Sequence, residues 1–108
     1  MKYLAVSGIV LFIVFGGFVT ASAQQRGKTL YDNNCAECHG TTGNGDGPAA
    51  AALGTAPADF NTPKFWQGNV QKKIETAVND GYGAMPPLDL SPDDLKTIID
   101  YMSHTFKK

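Results

Sequence analysis

The sequence predicts an all-α domain, and three observations predict it. Apolar residues recur at helical spacing twice: Val70, Ile74, Ala77 and Val78 at i, i+4, i+7 and i+8, then Leu95, Ile98, Ile99 and Met102 at i, i+3, i+4 and i+7. The stretches between these segments are rich in glycine and proline and read as loops. No convincing strand appears anywhere along the chain. At 108 residues the chain is one domain at most. Nine Lys and Arg stand against ten Asp and Glu, a formal net charge of -1, which argues against a general nucleic-acid binder.

Residues 1–23 read as an address. Lys2 supplies a positive start, Leu4 to Val19 is an almost unbroken apolar run, and Ala21-Ser22-Ala23 places small residues where a signal peptidase reads them. Cleavage is expected after Ala23, leaving a domain over residues 24–108. The run is long for a signal and short for a comfortable span of about 20 residues, and Gly16 and Gly17 weaken it as a helix. A retained N-terminal anchor is the alternative. In either case the globular part is exported, and the periplasm is its expected location.

Gly27 to Asn34 is the first expected helix, with Leu30 and Tyr31 apolar and Lys28, Asp32 and Asn33 outward. A glycine inside a helix costs roughly 1 kcal/mol relative to alanine. Gly27 therefore either lets another helix approach closely or simply starts this one. The helix runs into Cys35-Ala36-Glu37-Cys38-His39, the spacing for attachment of a c-type haem. Residues three apart share a face of one helical turn, so both thiols can reach the vinyl groups on one porphyrin edge. His39 then follows as an axial ligand for the iron.

Other uses of these residues remain open at this point. Cys35 and Cys38 could form a disulfide or a thioredoxin-like redox pair, although the latter needs a βαβ surround. With His39 and His104 they could bind zinc, but His104 lies four residues from the C-terminus on a solvated helix end. The motif uses both cysteines of the chain, so no disulfide framework is left to stabilise a very small core. A covalently held haem would offset that deficit as a large apolar plate for the chain to wrap.

Gly40 to Pro48 carries four glycines and cannot continue a helix. Backbone there can accept a hydrogen bond from the outer nitrogen of His39, and the Pro48 carbonyl is the expected acceptor. The rival is a solvated turn with no such contact. Ala49 to Leu53 can form a short helical turn, and Gly54 to Pro63 is loop again. Phe60, Phe65 and Trp66 are the expected apolar lining of a cofactor cavity, with the Trp66 N–H reaching a haem propionate. In so small a protein this reading and the ordinary one, core packing, nearly merge.

Asn69 caps the second long helix, which runs to Asp80, and Gly81 follows where a left-handed cap is wanted. Met85 then stands in a glycine-proline loop, Gly81 to Pro87. Pro86 biases Met85 towards an extended backbone and Pro87 stiffens the next position, which suits a thioether held on a stiff strap over the second face of an iron. A loop methionine is otherwise gap filler. Ser91 caps the last helix, Pro92 takes its first position and Asp93 and Asp94 its positive end, and it runs to about His104. Met102 belongs to its apolar stripe.

Taken together, Gly27 to about Phe106 resembles a small class I cytochrome c of the bacterial exported type. The resemblance rests on Gly27 eight residues before Cys35, Tyr31 four before it, the C-terminal positions Ile98, Tyr101 and Met102, the Gly47-Pro48 segment and the Met85-Pro86 pair. It implies the class I cytochrome c fold, three or more helices around one covalent haem c, with His39 and Met85 as axial ligands. It also implies that Gly27 marks a close helix crossing. The loop between His39 and Pro48 is shorter than in mitochondrial-type members and closer to bacterial forms with a GxGDGP run.

An iron with both axial positions filled offers no open site for substrate. The expectation is therefore not an enzyme but a carrier of single electrons between periplasmic or membrane redox proteins, and a monomer. Membrane association is expected only if the N-terminal segment is retained. Two alternatives stand: a haem protein with a labile Met85 that binds NO or CO or acts as a peroxidase, or a cytochrome subunit anchored in a larger respiratory complex.

Overall fold

The computed structural model describes Gly8 and residues 20–108. The export signal expected over residues 1–23 therefore lies, up to residue 19, outside the described residues. Among the described residues four helices follow in order: α1 (Ala21–Asn34), α2 (Ala36–His39), α3 (Val70–Asp80) and α4 (Pro92–Phe106), with 3-10 turns at Ala50–Ala52 and Pro63–Trp66. Among the described residues there is no strand, only an isolated bridge between Tyr82 and Met85. The fold is all-α, as the sequence predicts.

The helix ends are set by local chemistry. Asn69 Oδ1 accepts from the Lys72 N–H at 3.2 Å and Ser91 Oγ from the Asp94 N–H at 3.1 Å, each satisfying a donor the helix itself cannot pair. Gly81, at φ +79°, ends α3 and returns its N–H to the Ala77 carbonyl at 2.9 Å. The start of α1 differs from the expectation. It begins at Ala21 rather than Gly27, because Thr20 Oγ1 caps the Ala23 N–H at 3.1 Å. Arg26 ties that extra turn to α4 through Asp93, Asp94 and the Thr97 hydroxyl.

α1 packs on α4, and Gly27 is where they meet. A Cβ at Gly27 would stand 2.5 Å from the Tyr101 Cβ and 2.9 Å from the Thr97 carbonyl oxygen. Only a residue without a side chain permits that approach. Below the crossing, the ring of Tyr31 is enclosed by Tyr101 (5.7 Å between centroids), Phe106 (5.3 Å) and Phe60 (6.4 Å). Its hydroxyl donates to the Gly40 carbonyl at 2.7 Å, and burial pushes its acidity well below that of a free phenol. Ile98, Met102 and Leu95 of α4, with Ile74 and Val78 of α3, complete the core. Fully burying such a side chain contributes about 1.5–3 kcal/mol, so each is a large fraction of a small domain's stability. Met102 belongs to this core, as its stripe predicts.

Candidate functional site

Cys35 closes α1 and opens α2. Its N–H bonds the Tyr31 carbonyl at 2.8 Å, and its carbonyl accepts from Cys38 at 3.3 Å and His39 at 2.9 Å. Cys35, Cys38 and His39 are therefore carried on one helical turn. Both thiols are free and half-buried. Burial, with Cys38 alongside, pushes the Cys35 thiol up to about 12. A thioredoxin-like nucleophile needs the opposite shift, and no disulfide joins the pair. Zinc fails as well: among the described residues no three His, Cys, Asp or Glu gather as a metal site, and His104 is exposed on the last turn of α4.

The loop after His39 is spent on the motif turn. Gly45, Gly47 and Ala49 donate to the carbonyls of His39, Cys38 and Glu37 at 2.8, 3.0 and 2.9 Å. Gly47 lies so close that a Cβ there would fall on the carbonyls of Ala36 and Glu37. With this stretch committed to capping the turn and Pro48 itself exposed, the chain reaches the imidazole only on its next pass. His39 Nδ1 lies 3.1 Å from the Ala58 carbonyl, which replaces Pro48 as the acceptor. A carbonyl oxygen only accepts, so Nδ1 carries the proton and Nε2 keeps its lone pair. Burial lowers the His39 pKa, the Ala58 bond opposing it, so the ring is held neutral.

Phe60 follows two residues later. Its ring stacks on His39 with centroids 4.5 Å apart and planes 23° apart. The Phe60 N–H is fixed by the Gly43 carbonyl at 2.7 Å, and the Phe60 carbonyl accepts from Trp66 Nε1 at 2.7 Å. That bond corrects the expectation for Trp66. The Pro63–Trp66 turn folds the indole back on the chain, and its N–H is consumed there rather than offered to a propionate. Asn61 staples the two passes together, Nδ2 donating to the Thr42 carbonyl at 2.8 Å and to Asn44 Oδ1 at 2.7 Å.

Met85 is half-buried and packs against the same apolar cluster as Cys35, Phe60, Phe65 and Trp66. Its N–H and carbonyl pair with the carbonyl and N–H of Tyr82 at 2.9 and 3.0 Å, and Leu88 N–H bonds the Val78 carbonyl at 2.8 Å. The strap is thus a closed loop whose methionine packs on the core cluster.

These residues fit a covalent haem c. The donor set has two free thiols one turn apart, a neutral imidazole with Nε2 unspent, and a thioether in the apolar shell. The sequence does not single out Ala58 or Asn61, and it places Phe60 in the lining without its His39 partner. Ala58 acts through its backbone, which has no signature in residue type.

The sequence profile of the family described as "Cytochrome C oxidase, cbb3-type, subunit III" matches residues 22–102. The cbb3-type cytochrome c oxidase subunit CcoP of Azospirillum brasilense is 32% identical over 84 residues, 76% of this chain and 28% of the relative. The subunit CcoP of Azospirillum sp. (strain B510) is 33% identical over 89 residues, 81% of this chain and 30% of the relative. The chain thus spans under a third of the length of both. Among solved structures, the KustC0563 c-type cytochrome aligns with a TM-score of 0.61 and 26% identity, over 76% of this chain and 98% of its own.

Proposed function

The chain belongs to the cbb3-type cytochrome c oxidase subunit III family of c-type cytochromes and carries its covalent haem c, and from that premise we propose that it serves as the electron-transfer module of a membrane respiratory oxidase rather than as a free carrier. Relatives named as oxidase subunits support the reading over the independent shuttle expected from sequence. The observation that carries the choice of an oxidase module is the match to the oxidase subunit family over residues 22–102; the motif turn, with His39 held by the Ala58 carbonyl so that Nε2 is presented as a neutral donor, carries the haem-binding part.

Cys35 and Cys38 would tether the group through thioethers, and His39 Nε2 and the Met85 sulfur would bind its iron. When bound, the haem supplies one-electron chemistry, its iron passing between ferrous and ferric. The remaining work belongs to the chain. Ala58 and Phe60 hold the imidazole in one tautomer and one plane, which fixes its donor strength. Phe60, Phe65, Trp66 and the buried faces of α3 and α4 keep water from the centre, limiting the solvent response to a change of charge. A histidine-methionine pair raises a cytochrome's potential.

The test is to fractionate membranes of the native host and follow the haem c of this chain. It should travel with terminal-oxidase activity, and Cys35→Ser with Cys38→Ser should abolish covalent haem. A pigment found wholly in the soluble exported fraction would return the shuttle reading, and a colourless purified protein would overturn both.

A further inference from the structure

We propose that the outer surface of the Met85 strap, centred on the Tyr82 ring and framed by Asp80 and Asp89, is the docking surface for a redox protein whose contact face is apolar at its centre and basic at its rim. The proposal rests on the electron-transfer reading above and names the chemistry of the partner.

Tyr82 is, among the described residues, the large hydrophobic side chain left in solvent, 80% exposed. Its backbone is not free: N–H and carbonyl are both bonded to Met85. An aromatic ring is therefore presented on a fixed base. Tyrosine supplies a large contact area at little entropic cost, which is why it recurs at the centre of protein interfaces. Around it Gly83, Ala84, Pro86 and Pro87 are exposed too, and the run from Gly81 to Leu88 contains no charge. An uncharged patch on the segment that carries Met85 has no evident use in holding the fold.

The charge flanking the patch in sequence is of one sign. From Ile74 to Leu95 the chain carries Glu75, Asp80, Asp89, Asp93 and Asp94 and no Lys or Arg. Arg26 takes up Asp93 and Asp94. Asp80 and Asp89 are exposed and form no ion pair with the described residues. The Leu88–Val78 bond closes the base of the strap and so brings the two acids to the same end of the loop. The nearest basic residues before the strap in sequence are Lys64, Lys72 and Lys73, and Lys73 is committed to the Phe65 ring and carbonyl. A partner with a basic rim is drawn to the strap by Asp80 and Asp89, which raises the encounter rate and favours that orientation.

The test uses the haem-loaded protein at gold electrodes coated with three monolayers: mixed methyl and amine, methyl alone, and carboxylate. Interfacial electron transfer should be fastest on the mixed methyl-amine surface and slowest on carboxylate. Tyr82→Ala should slow it about tenfold on the first surface, and Tyr82→Phe should keep the native rate. Asp80→Asn with Asp89→Asn should remove the preference for amine and flatten the dependence on ionic strength. Asp100→Asn, which removes a carboxylate paired with Lys96 on α4, should do neither. The red-end sulfur band and the potential are read on every variant. Native rates for both Tyr82→Ala and the double Asn variant, with those readouts normal, would overturn the docking surface and leave the electron-transfer reading standing. Should Tyr82→Ala itself lose the sulfur band, the double Asn variant decides by the same comparison. Absence of any haem signal in the native protein would instead overturn the underlying reading.

Discussion

On the His39 side, the carbonyls of Glu37, Cys38 and His39 are each taken by a separate N–H from Ala49, Gly47 and Gly45, and the imidazole is held by the Ala58 carbonyl and the Phe60 ring. On the Met85 side, two bonds to Tyr82 and one between Leu88 and Val78 hold the whole run from Gly81 to Leu88, most of it in solvent. The imidazole is fixed by interlocked loops and the thioether is hung from a single closed strap. Local opening follows hydrogen bonding and burial, so the strap is the weaker grip. Under the proposed reading, the difference would keep the imidazole constant while the strap meets a partner.

The sharpest way to break this comparison is to remove each donor in turn. His39→Ala should abolish the native spectrum and most of the yield of haem-loaded protein. Met85→Ala should keep the covalent haem and the helix content, lose the red-end sulfur band, lower the potential by a sizeable part of the roughly 0.8 V that ligands and surroundings span, and bind CO when reduced. Equal damage from the two would deny that the sides differ.

A smaller effect compares two glycines. A Cβ at Gly47 falls on two carbonyls, whereas at Gly83 it meets nothing and only the φ of +56° is strained. Gly47→Ala should cost about 2–3 kcal/mol, a fall of roughly 10 °C or more in Tm. Gly83→Ala should cost about 1–2 kcal/mol, the strain of a left-handed backbone. Thermal melts of the haem-loaded variants check the order. Native-state hydrogen exchange sharpens it further: the amides of Gly45, Gly47 and Ala49 should be protected longer than those of Tyr82 and Met85.

Legibility in the sequence divides along the same line. α4 could be read from the Ser91 cap, Pro92 and the stripe of Leu95, Ile98, Ile99 and Met102, but the α1–α4 crossing at Gly27 only through the family resemblance, since a glycine there suits a helix start equally well. That Cys35, Cys38 and His39 share one turn was legible from their spacing. The start of α1 was not, since Ala21-Ser22-Ala23 suits both a peptidase site and the first turn of a helix capped by Thr20. The acceptor for His39 was not legible either. Any residue supplies a carbonyl, and which one reaches the ring depends on how Gly40, Gly43 and Gly45, all at positive φ, turn the chain. Trp66 was legible as lining, but its N–H partner depends on a 3-10 turn that folds it back six residues.

The smallest expected effect is of pH. The folded His39 pKa lies below the ordinary imidazole value of about 6.5. The unfolded chain therefore binds more protons in that window, and stability rises with pH across it. The contribution is fully present above about 6.5 and is lost as pH falls through the lower folded value. Iron bound at Nε2 would extend the same direction to lower pH. A thioether has no proton to gain, so the sulfur band should stay constant until the imidazole is lost. Acid titration followed by absorption reads both.

The most direct test of the two-sided grip is the proton NMR spectrum of the reduced, haem-loaded protein. One methionine methyl should lie far upfield, shielded by the porphyrin ring, should belong to Met85, and should vanish in Met85→Ala while Met102 keeps an ordinary core shift. A spectrum without such a methyl, or with one that survives Met85→Ala, would contradict the account.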